Sequence, residues 1–153
     1  MPKIKHIALS TQDVEVTARF YIEVFGMKEV GKIDDPGTRG CFLTDGDINL
    51  AILNFKNDTA AGVERGKGFC GIHHFGFQVE SHDAIAERLH QAGARRREDV
   101  EQALGVAIPS RDGGPRSGGR QPHGNVEVKY TGPDGVMLDV SETGWLGTPT
   151  FGA

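Results

Sequence analysis

The 153-residue sequence predicts an α+β fold built from two copies of a strand–helix–three-strand module. Two stretches of the chain begin alike, one at His6 and the other at His74, and each runs through alternating apolar residues into an amphipathic helix. Short alternating segments bounded by turn residues follow in both halves. A repeat that retains its histidine suggests two ligands that meet at a pseudo-twofold axis.

The first module, about residues 1–56, can be followed element by element. Residues 3–10 alternate as a strand, and Asp13 is predicted to cap a helix that ends at Gly26. Three apolar side chains of this helix fall on one stripe: Val16, Phe20 and Val24. Three strands are then predicted at residues 27–33, 40–43 and 48–55, with turns at 34–37 and 44–47.

A polar linker, about residues 57–69, separates this module from the second, about residues 70–142. The second module is predicted to begin with a strand at Gly71, followed by a helix over residues 83–91 and final strands at 126–130 and 136–140. The third element of the second module cannot be recognised in the sequence, because residues 110–120 interrupt the pattern. They are predicted to form a solvated, mobile basic loop, with a lid that attracts an anionic substrate as the alternative. Residues 143–153 form a tail without periodicity.

Composition argues against several classes of function. The net charge of −4 gives no indication of a nucleic-acid partner or an anionic membrane. No apolar run approaches the roughly 20 residues that cross a bilayer, and the start of the chain lacks the hydrophobic region of a signal peptide. Cys41 and Cys70 form no CxxC pair, so free thiols in a reducing cytoplasm are expected, with a disulfide as the alternative. We therefore expect a cytoplasmic protein whose partner is a small-molecule substrate.

Strand alternation places the chemically active side chains on one face of the sheet. Residues two apart share a face, so Phe75 and Phe77 pack on the helix while His74 faces the other way. The same argument in the other strands collects four side chains on one concave face: His6, His74, Glu127 and Asp139. Lys129 is expected to be a solvent-facing charge. His73 is expected on the helix side of the strand or at its rim, without a role as a ligand.

Two imidazoles and a carboxylate suit a divalent transition metal, and with open positions they resemble the facial triad of non-haem Fe(II). Such a metal can polarise a carbonyl, stabilise an enolate or activate oxygen. We predict His6, His74 and Asp139 as metal ligands. The alternatives are that Asp139 is a hydrogen-bonded structural residue or that Glu142 is the ligand in its place. Glu127 is predicted as a general base at the bound substrate, and the alternative is a solvated strand carboxylate.

These segments resemble the vicinal oxygen chelate superfamily, which includes glyoxalase I, bleomycin-resistance proteins, methylmalonyl-CoA epimerase and extradiol dioxygenases. The resemblance is carried by His6-Ile7-Ala8-Leu9, Phe20-Tyr21, Val24-Phe25-Gly26-Met27, His74-Phe75-Gly76-Phe77 and residues 132–139. It implies the glyoxalase/bleomycin resistance/dioxygenase fold, in which two βαβββ modules form a cupped mixed sheet with the metal in the cup. It also implies that His6, His74 and Asp139 hold the metal and that the chain forms a homodimer.

Two departures from the family pattern bear on the reaction. Asp139 is one methylene shorter than the usual glutamate. The fourth ligand of glyoxalases, a glutamate in the last strand of the first module, has no counterpart, because the cup positions there are predicted to be Asn49 and Ala51. The remaining two histidines and one carboxylate match the extradiol dioxygenase pattern better, although those enzymes usually have four modules.

We therefore expect a divalent-metal-dependent enzyme whose small substrate chelates the metal through two oxygens. The ion is Fe(II), Ni(II), Zn(II), Co(II) or Mn(II). The reaction is either dioxygenase-like, as in an oxidoreductase, or glyoxalase/epimerase-like, as in a lyase or isomerase. The alternative is a non-catalytic ligand-binding protein of the bleomycin-resistance kind, which needs no metal.

Overall fold

The computed structural model describes residues 1–105 and 127–149, which contain an eight-stranded mixed sheet and four α-helices. The elements are β1 (Lys3–Ser10), α1 (Val14–Phe25), β2 (Lys28–Asp34), β3 (Thr38–Thr44), β4 (Asn49–Phe55), α2 (Asp58–Ala61), β5 (Gly71–Gln78), α3 (His82–Gln91), β6 (Arg95–Arg96), α4 (Glu98–Ala103), β7 (Val128–Thr131) and β8 (Met137–Ser141). A 3-10 turn at Pro133–Gly135 joins the last two strands. The predicted α+β fold is confirmed. The loop predicted over residues 110–120 lies outside the described residues.

The order of strands shows how the two modules combine. It runs β2-β3-β4-β1-β5-β8-β7-β6, so the antiparallel pair β1 and β5 joins the modules at the centre of the sheet. Within each module the first strand pairs in parallel with the last, β1 with β4 and β5 with β8. The four central strands therefore repeat one arrangement about the middle of the sheet, which is what the duplicated histidine segments indicated.

Helix α1 begins and ends where the sequence predicts. The carboxylate of Asp13 accepts a hydrogen bond of 3.0 Å from the backbone of Val16, and Gly26 ends the helix in the left-handed conformation, with φ of 69°. The apolar stripe, however, faces solvent: Val16, Phe20 and Val24 are 58%, 52% and 58% exposed. The helix instead packs through Val14 and the small Ala18, which lets it lie close to the sheet.

The opposite side of the sheet, which carries His6 and His74, is here named the cup face. Part of it is covered by two short helices that the sequence did not predict. Within the predicted linker, Asn57 caps α2 by accepting a hydrogen bond of 2.8 Å from the backbone of Ala60, and Ala60 and Ala61 are completely buried. Val100 of α4 and the adjacent Leu104 join the same core. The two helices therefore pack against this side of the sheet, in the same core as Ala8 and Met137.

Arg97 attaches the start of α4 to the sheet. Its side chain is 1% exposed and forms two-pronged ion pairs with Glu64 and Asp99, at distances that include 3.0 Å from Nη2 to Oε2 of Glu64 and 3.0 Å from Nε to Oδ1 of Asp99. Nη1 also donates to Oγ1 of Thr131 in β7 at 3.1 Å. Hydrogen bonds from Arg97 lower the pKa of both Glu64 and Asp99. The buried charge is therefore fully paired.

No helix within the described ranges is long and apolar enough to cross a membrane. Cys41 is buried and Cys70 is exposed, and neither is in a disulfide.

Candidate metal centre

Three side chains converge at the middle of the cup face. His6 and His74 lie on the adjacent strands β1 and β5, and Asp139 lies on β8, the next strand. Nε2 of His6 is 3.2 Å from Nε2 of His74, and Oδ2 of Asp139 is 3.0 Å from Nε2 of His74 and 3.9 Å from Nε2 of His6. All three side chains are buried. The structure thus brings together the three residues that the sequence predicts as ligands.

The orientation of His6 is fixed by Asn49, its register partner on β4. Oδ1 of Asn49 lies 2.8 Å from Nδ1 of His6, while Nδ2 of Asn49 donates a hydrogen bond of 2.9 Å to the carbonyl of Leu146. An amide oxygen only accepts, so Nδ1 of His6 carries the hydrogen and Nε2 is left with its lone pair. Asn49 lies on the cup face, as the strand pattern predicts, and orients a ring there.

His73 is buried on the same side of the sheet as His74, so the prediction that it lies on the helix side or at the rim is wrong. The register pairs Ala8 with His74 and Leu9 with Ile72, which leaves His73 as the extra residue of a β-bulge. Its ring is buried, 4.4 Å from that of Phe55, with Nδ1 2.7 Å from Nδ1 of His74. The bulge interrupts the alternation on which the prediction depended.

The convergent groups include a carboxylate oxygen without a partner. Burial lowers the pKa of His6 to about 3, with His74 adding to the effect, and burial also lowers the pKa of His74, so both rings are neutral at pH 7. Burial by itself would raise the pKa of Asp139, but the ammonium of Lys129 acts against this effect, and the pKa lies well below its usual value. Among the described residues Oδ2 has no hydrogen-bond partner, which is costly for a buried atom. Two imidazoles and this oxygen are a donor set that fits a divalent cation.

Lys129 is buried against this set, so the prediction that it faces solvent is wrong. It lies opposite Asp139 in the β7–β8 ladder, and its Nζ donates to Oδ1 of Asp139 at 2.7 Å and lies 3.5 Å from Oε2 of Glu127. Burial favours loss of its proton, but Asp139 and Glu127 outweigh that effect and raise its pKa. The ammonium therefore stays charged and binds one oxygen of Asp139, while the other oxygen faces the two histidines.

Glu127 is buried near the same centre, so the alternative of a solvated carboxylate is wrong. Oε1 accepts a hydrogen bond of 2.6 Å from Nε1 of Trp145. Burial, followed by the nearby Asp139, raises the pKa of Glu127 to about 7. The carboxylate thus lies at the candidate centre and is held in one orientation.

Trp145 is the site residue that the sequence analysis missed. Its ring stacks on His6 with 4.9 Å between ring centroids and 7° between the planes. Gly76 makes room for it, because a Cβ there would lie 2.6 Å from the indole. The residue follows the last strand, where no periodicity predicts a direction. Glu142, the alternative ligand, is exposed and accepts instead from the backbone of His82.

The polar groups border a small cavity of about 30 Å³, enough for roughly one or two waters. Its polar lining includes both histidines, Glu127 and Lys129, and its apolar lining includes Phe42, Phe55 and Leu104. Thr38 also lines it, and Oγ1 of Thr38 is buried without a partner among the described residues. The cavity therefore combines candidate ligands, a carboxylate, an ammonium and an apolar wall.

Known proteins share both the sequence pattern and the fold. The family model of the Glyoxalase/Bleomycin resistance protein/Dioxygenase superfamily matches residues 3–140. An ethylmalonyl-CoA/methylmalonyl-CoA epimerase from Cereibacter sphaeroides is 29% identical over 97 residues, which cover 61% of this chain and 72% of that protein.

Among solved structures, a variant of Streptomyces coelicolor methylmalonyl-CoA epimerase in complex with 2-nitronate-propionyl-CoA matches with a TM-score of 0.65 and 21% identity, covering 91% of this chain and 95% of that one. Methylmalonyl-CoA epimerase from Mycobacterium tuberculosis matches with a TM-score of 0.62 and 18% identity, covering 90% and 85%. These structural matches establish the shared fold. Because the family model spans nearly the whole chain, the protein belongs to the glyoxalase/bleomycin resistance protein/dioxygenase superfamily.

Proposed function

We propose that this protein is a metal-dependent enzyme that transfers a proton at a carbon next to a carbonyl group, in a small substrate that chelates the metal through two oxygens. The observation that carries the proposal is the convergence of Nε2 of His6, Nε2 of His74 and the unpartnered Oδ2 of Asp139. A second carboxylate, Glu127, lines the same cavity.

His6, His74 and Asp139 would hold the ion. When bound, a divalent metal supplies Lewis acidity that polarises a carbonyl oxygen and makes the neighbouring carbon–hydrogen bond more acidic. Asn49 orients the first of these ligands, and Lys129 orients the third by donating to its other oxygen. Such supporting hydrogen bonds are typical of metal sites, because they fix the direction of the ligand lone pairs.

Glu127 is the residue proposed to remove the proton. It is buried, and its Oε1 accepts a hydrogen bond from the indole of Trp145. This hydrogen bond holds the carboxylate in the cavity that both histidines line. Lys129 places a permanent positive charge in the same cavity, where it stabilises negative charge that develops on the substrate oxygens.

The comparison with relatives favours proton transfer over oxygenation. The relative from Cereibacter sphaeroides is named an ethylmalonyl-CoA/methylmalonyl-CoA epimerase, and epimerisation is a transfer of protons at carbon. Thioesters of 2-substituted malonates are therefore the first substrates to test. They also present two oxygens to a metal, as the proposal requires.

The test is exchange of the substrate proton with solvent. Protein loaded with Co(II), Ni(II), Mn(II), Zn(II) or Fe(II) is incubated with methylmalonyl-CoA in D₂O, and deuterium at the substrate carbon is measured by mass spectrometry. We expect exchange that requires metal and falls by about 10²–10⁴-fold in Glu127→Gln. The matched control is Glu142→Gln, which makes the same change at an exposed carboxylate and should leave the rate unchanged.

Two other results would contradict the proposal. Oxygen consumption with a catechol by the Fe(II)-loaded protein, without deuterium exchange, would identify a dioxygenase. Ligand binding that survives both chelation and His6→Ala, again without exchange, would identify a binding protein of the bleomycin-resistance kind.

A further inference from the structure

We propose that His73 is a positioning residue that holds His74 in the tautomer whose Nε2 is unprotonated and faces the candidate metal centre. The proposal rests on the proposed function, because it assigns to His73 the task of orienting His74, one of the proposed metal ligands. It concerns a residue that simple strand alternation would place on the other side of the sheet.

The backbone of Ala61, the last residue of α2, binds His73. Its carbonyl oxygen lies 2.6 Å from Nε2 of His73. A carbonyl oxygen only accepts, so Nε2 of His73 must carry a hydrogen. The short helix α2 is therefore more than a cover for the cup face, since it fixes one end of a hydrogen-bonded chain.

The next link is the contact of 2.7 Å between Nδ1 of His73 and Nδ1 of His74, which requires one hydrogen between the two nitrogens. If His73 supplied that hydrogen as well, its ring would be a cation. The ring is buried between Phe55 and Phe69, where an unpaired charge is costly. The hydrogen therefore belongs to His74, and Nε2 of His74 is left with a lone pair.

The two halves of the site reach the same result by different means. In the first half, the amide oxygen of Asn49 accepts from His6 directly. In the second half, His73 connects His74 to the carbonyl of Ala61. Both Nε2 lone pairs then point toward Oδ2 of Asp139, and no hydrogen is available between the three acceptors. A cation removes the repulsion that this arrangement otherwise creates.

The β-bulge is what makes this chain possible. In a regular strand, consecutive side chains point to opposite faces, so His73 and His74 could not be hydrogen-bonded to each other on the cup face. The register shift between Ala8 and Leu9 leaves His73 unpaired in the ladder and brings both rings to one side.

The experiment compares His73→Asn with His73→Leu. The two new side chains have nearly the same shape, and both remove the ring, but only asparagine has an oxygen close to the former Nδ1 that can accept from His74. Dissociation constants for Zn(II) and Co(II) are measured by competition with a chromogenic chelator. The tautomer of His74 in the metal-free proteins is read from ¹⁵N chemical shifts of its imidazole.

We expect His73→Asn to bind metal within about threefold of the unsubstituted protein and His73→Leu to bind about 10–100-fold more weakly. We also expect one tautomer of His74, protonated at Nδ1, in the unsubstituted protein and its loss in His73→Leu. Unchanged metal affinity in His73→Leu would overturn the proposal, as would equal weakening in both variants.

The tautomer measurement separates this proposal from the proposed function. A wild-type protein that binds no metal but shows the Nδ1–H tautomer would refute the metal-dependent enzyme and support the positioning role. Wild-type His74 protonated at Nε2 would refute the positioning role even if metal binds. The ¹⁵N measurement on the wild-type protein needs no variant, so it tests the positioning role even if His73→Leu fails to fold.

Discussion

The indole of Trp145 contacts the proposed base and a proposed ligand at the same time. Its Nε1 donates a hydrogen bond of 2.6 Å to Glu127, and its ring stacks at 4.9 Å on His6. One side chain therefore sets where Glu127 lies relative to the candidate metal centre. Since misplacement of reacting groups by about 1 Å is enough to slow catalysis strongly, Trp145 should affect rate more than binding.

Replacing Trp145 by phenylalanine tests this separation. Phenylalanine keeps a ring that can stack on His6 but has no hydrogen to donate to Glu127. We expect the rate of metal-dependent proton exchange to fall about tenfold or more while metal affinity, measured by chelator competition, stays within about threefold. A loss of metal affinity equal to the loss of rate would contradict this separation of rate from binding.

Gly76 is expected to tolerate no side chain. A Cβ at this position would lie 2.6 Å from the indole of Trp145 and 3.1 Å from Cβ of His6. We expect Gly76→Ala to lower the free energy of unfolding by about 1–3 kcal/mol, measured by urea denaturation, and to weaken metal binding. Gly68→Ala is the matched control, because a Cβ there meets nothing within 4 Å. Equal stability of the two variants would contradict the close contact.

Metal should stabilise the folded chain. A ligand that binds only the folded state at about 100 times its dissociation constant adds about 2.7 kcal/mol to the free energy of unfolding. For a chain of this size that corresponds to a rise in Tm of roughly 5–10 °C. We expect such a rise with the correct divalent ion, reversal by chelator, and no rise in the His6→Ala/His74→Ala double variant. An equal rise in the double variant would place the bound ion elsewhere.

The Arg97 ion pairs should make stability depend on pH in the acid range. Because Arg97 lowers the pKa of Glu64 and Asp99 below their usual values of 4.5 and 3.8, the unfolded chain binds more protons than the folded one as the pH falls through this range. Their contribution to stability is thus present above about pH 5 and is lost at lower pH. In Arg97→Met we expect a shallower acid loss, measured by urea denaturation between pH 7 and pH 3. Parallel pH curves for the two proteins would contradict this account.

The orientation of α1 can be tested with one substitution at two positions. Val14 is 5% exposed and Val16 is 58% exposed, although both belong to the first turn of the helix. We expect Val14→Ala to cost about 1.5 kcal/mol, from two buried methyl-sized groups, and Val16→Ala to cost close to nothing. If Val16→Ala is the more destabilising variant in thermal or urea unfolding, the apolar stripe faces a partner rather than solvent.

Much of the site follows from the period of two along a strand. His6, His74 and Asp139 share a face because they lie where the strand pairing is regular, between the two register shifts of the β1–β5 ladder. The repeated module brings their strands together at the centre of the sheet. The same rule places Asn49 correctly. Local capping signals also suffice for α1, where Asp13 and Gly26 mark the two ends.

The other site residues depend on information that alternation does not contain. A β-bulge places the side chain of His73 on the cup face instead of the opposite face. No pattern in the residues around it indicates that the ladder skips one position. Lys129 has the parity of the cup face, but its burial depends on a carboxylate on the neighbouring strand that compensates its charge. Trp145 returns to the site from beyond β8, through contacts between segments far apart in the chain.

The parallel pairs β1–β4 and β5–β8 also determine what a bound molecule would meet on each side. Superposing His6 on His74 makes Asp139, the register partner of Gly76, equivalent to Ala51, the partner of Ala8. The carboxylate of one half is therefore matched by a methyl group in the other. A scaffold that is nearly symmetric in its backbone thus presents two chemically different sides to a bound molecule, a charged one next to β8 and an apolar one next to β4.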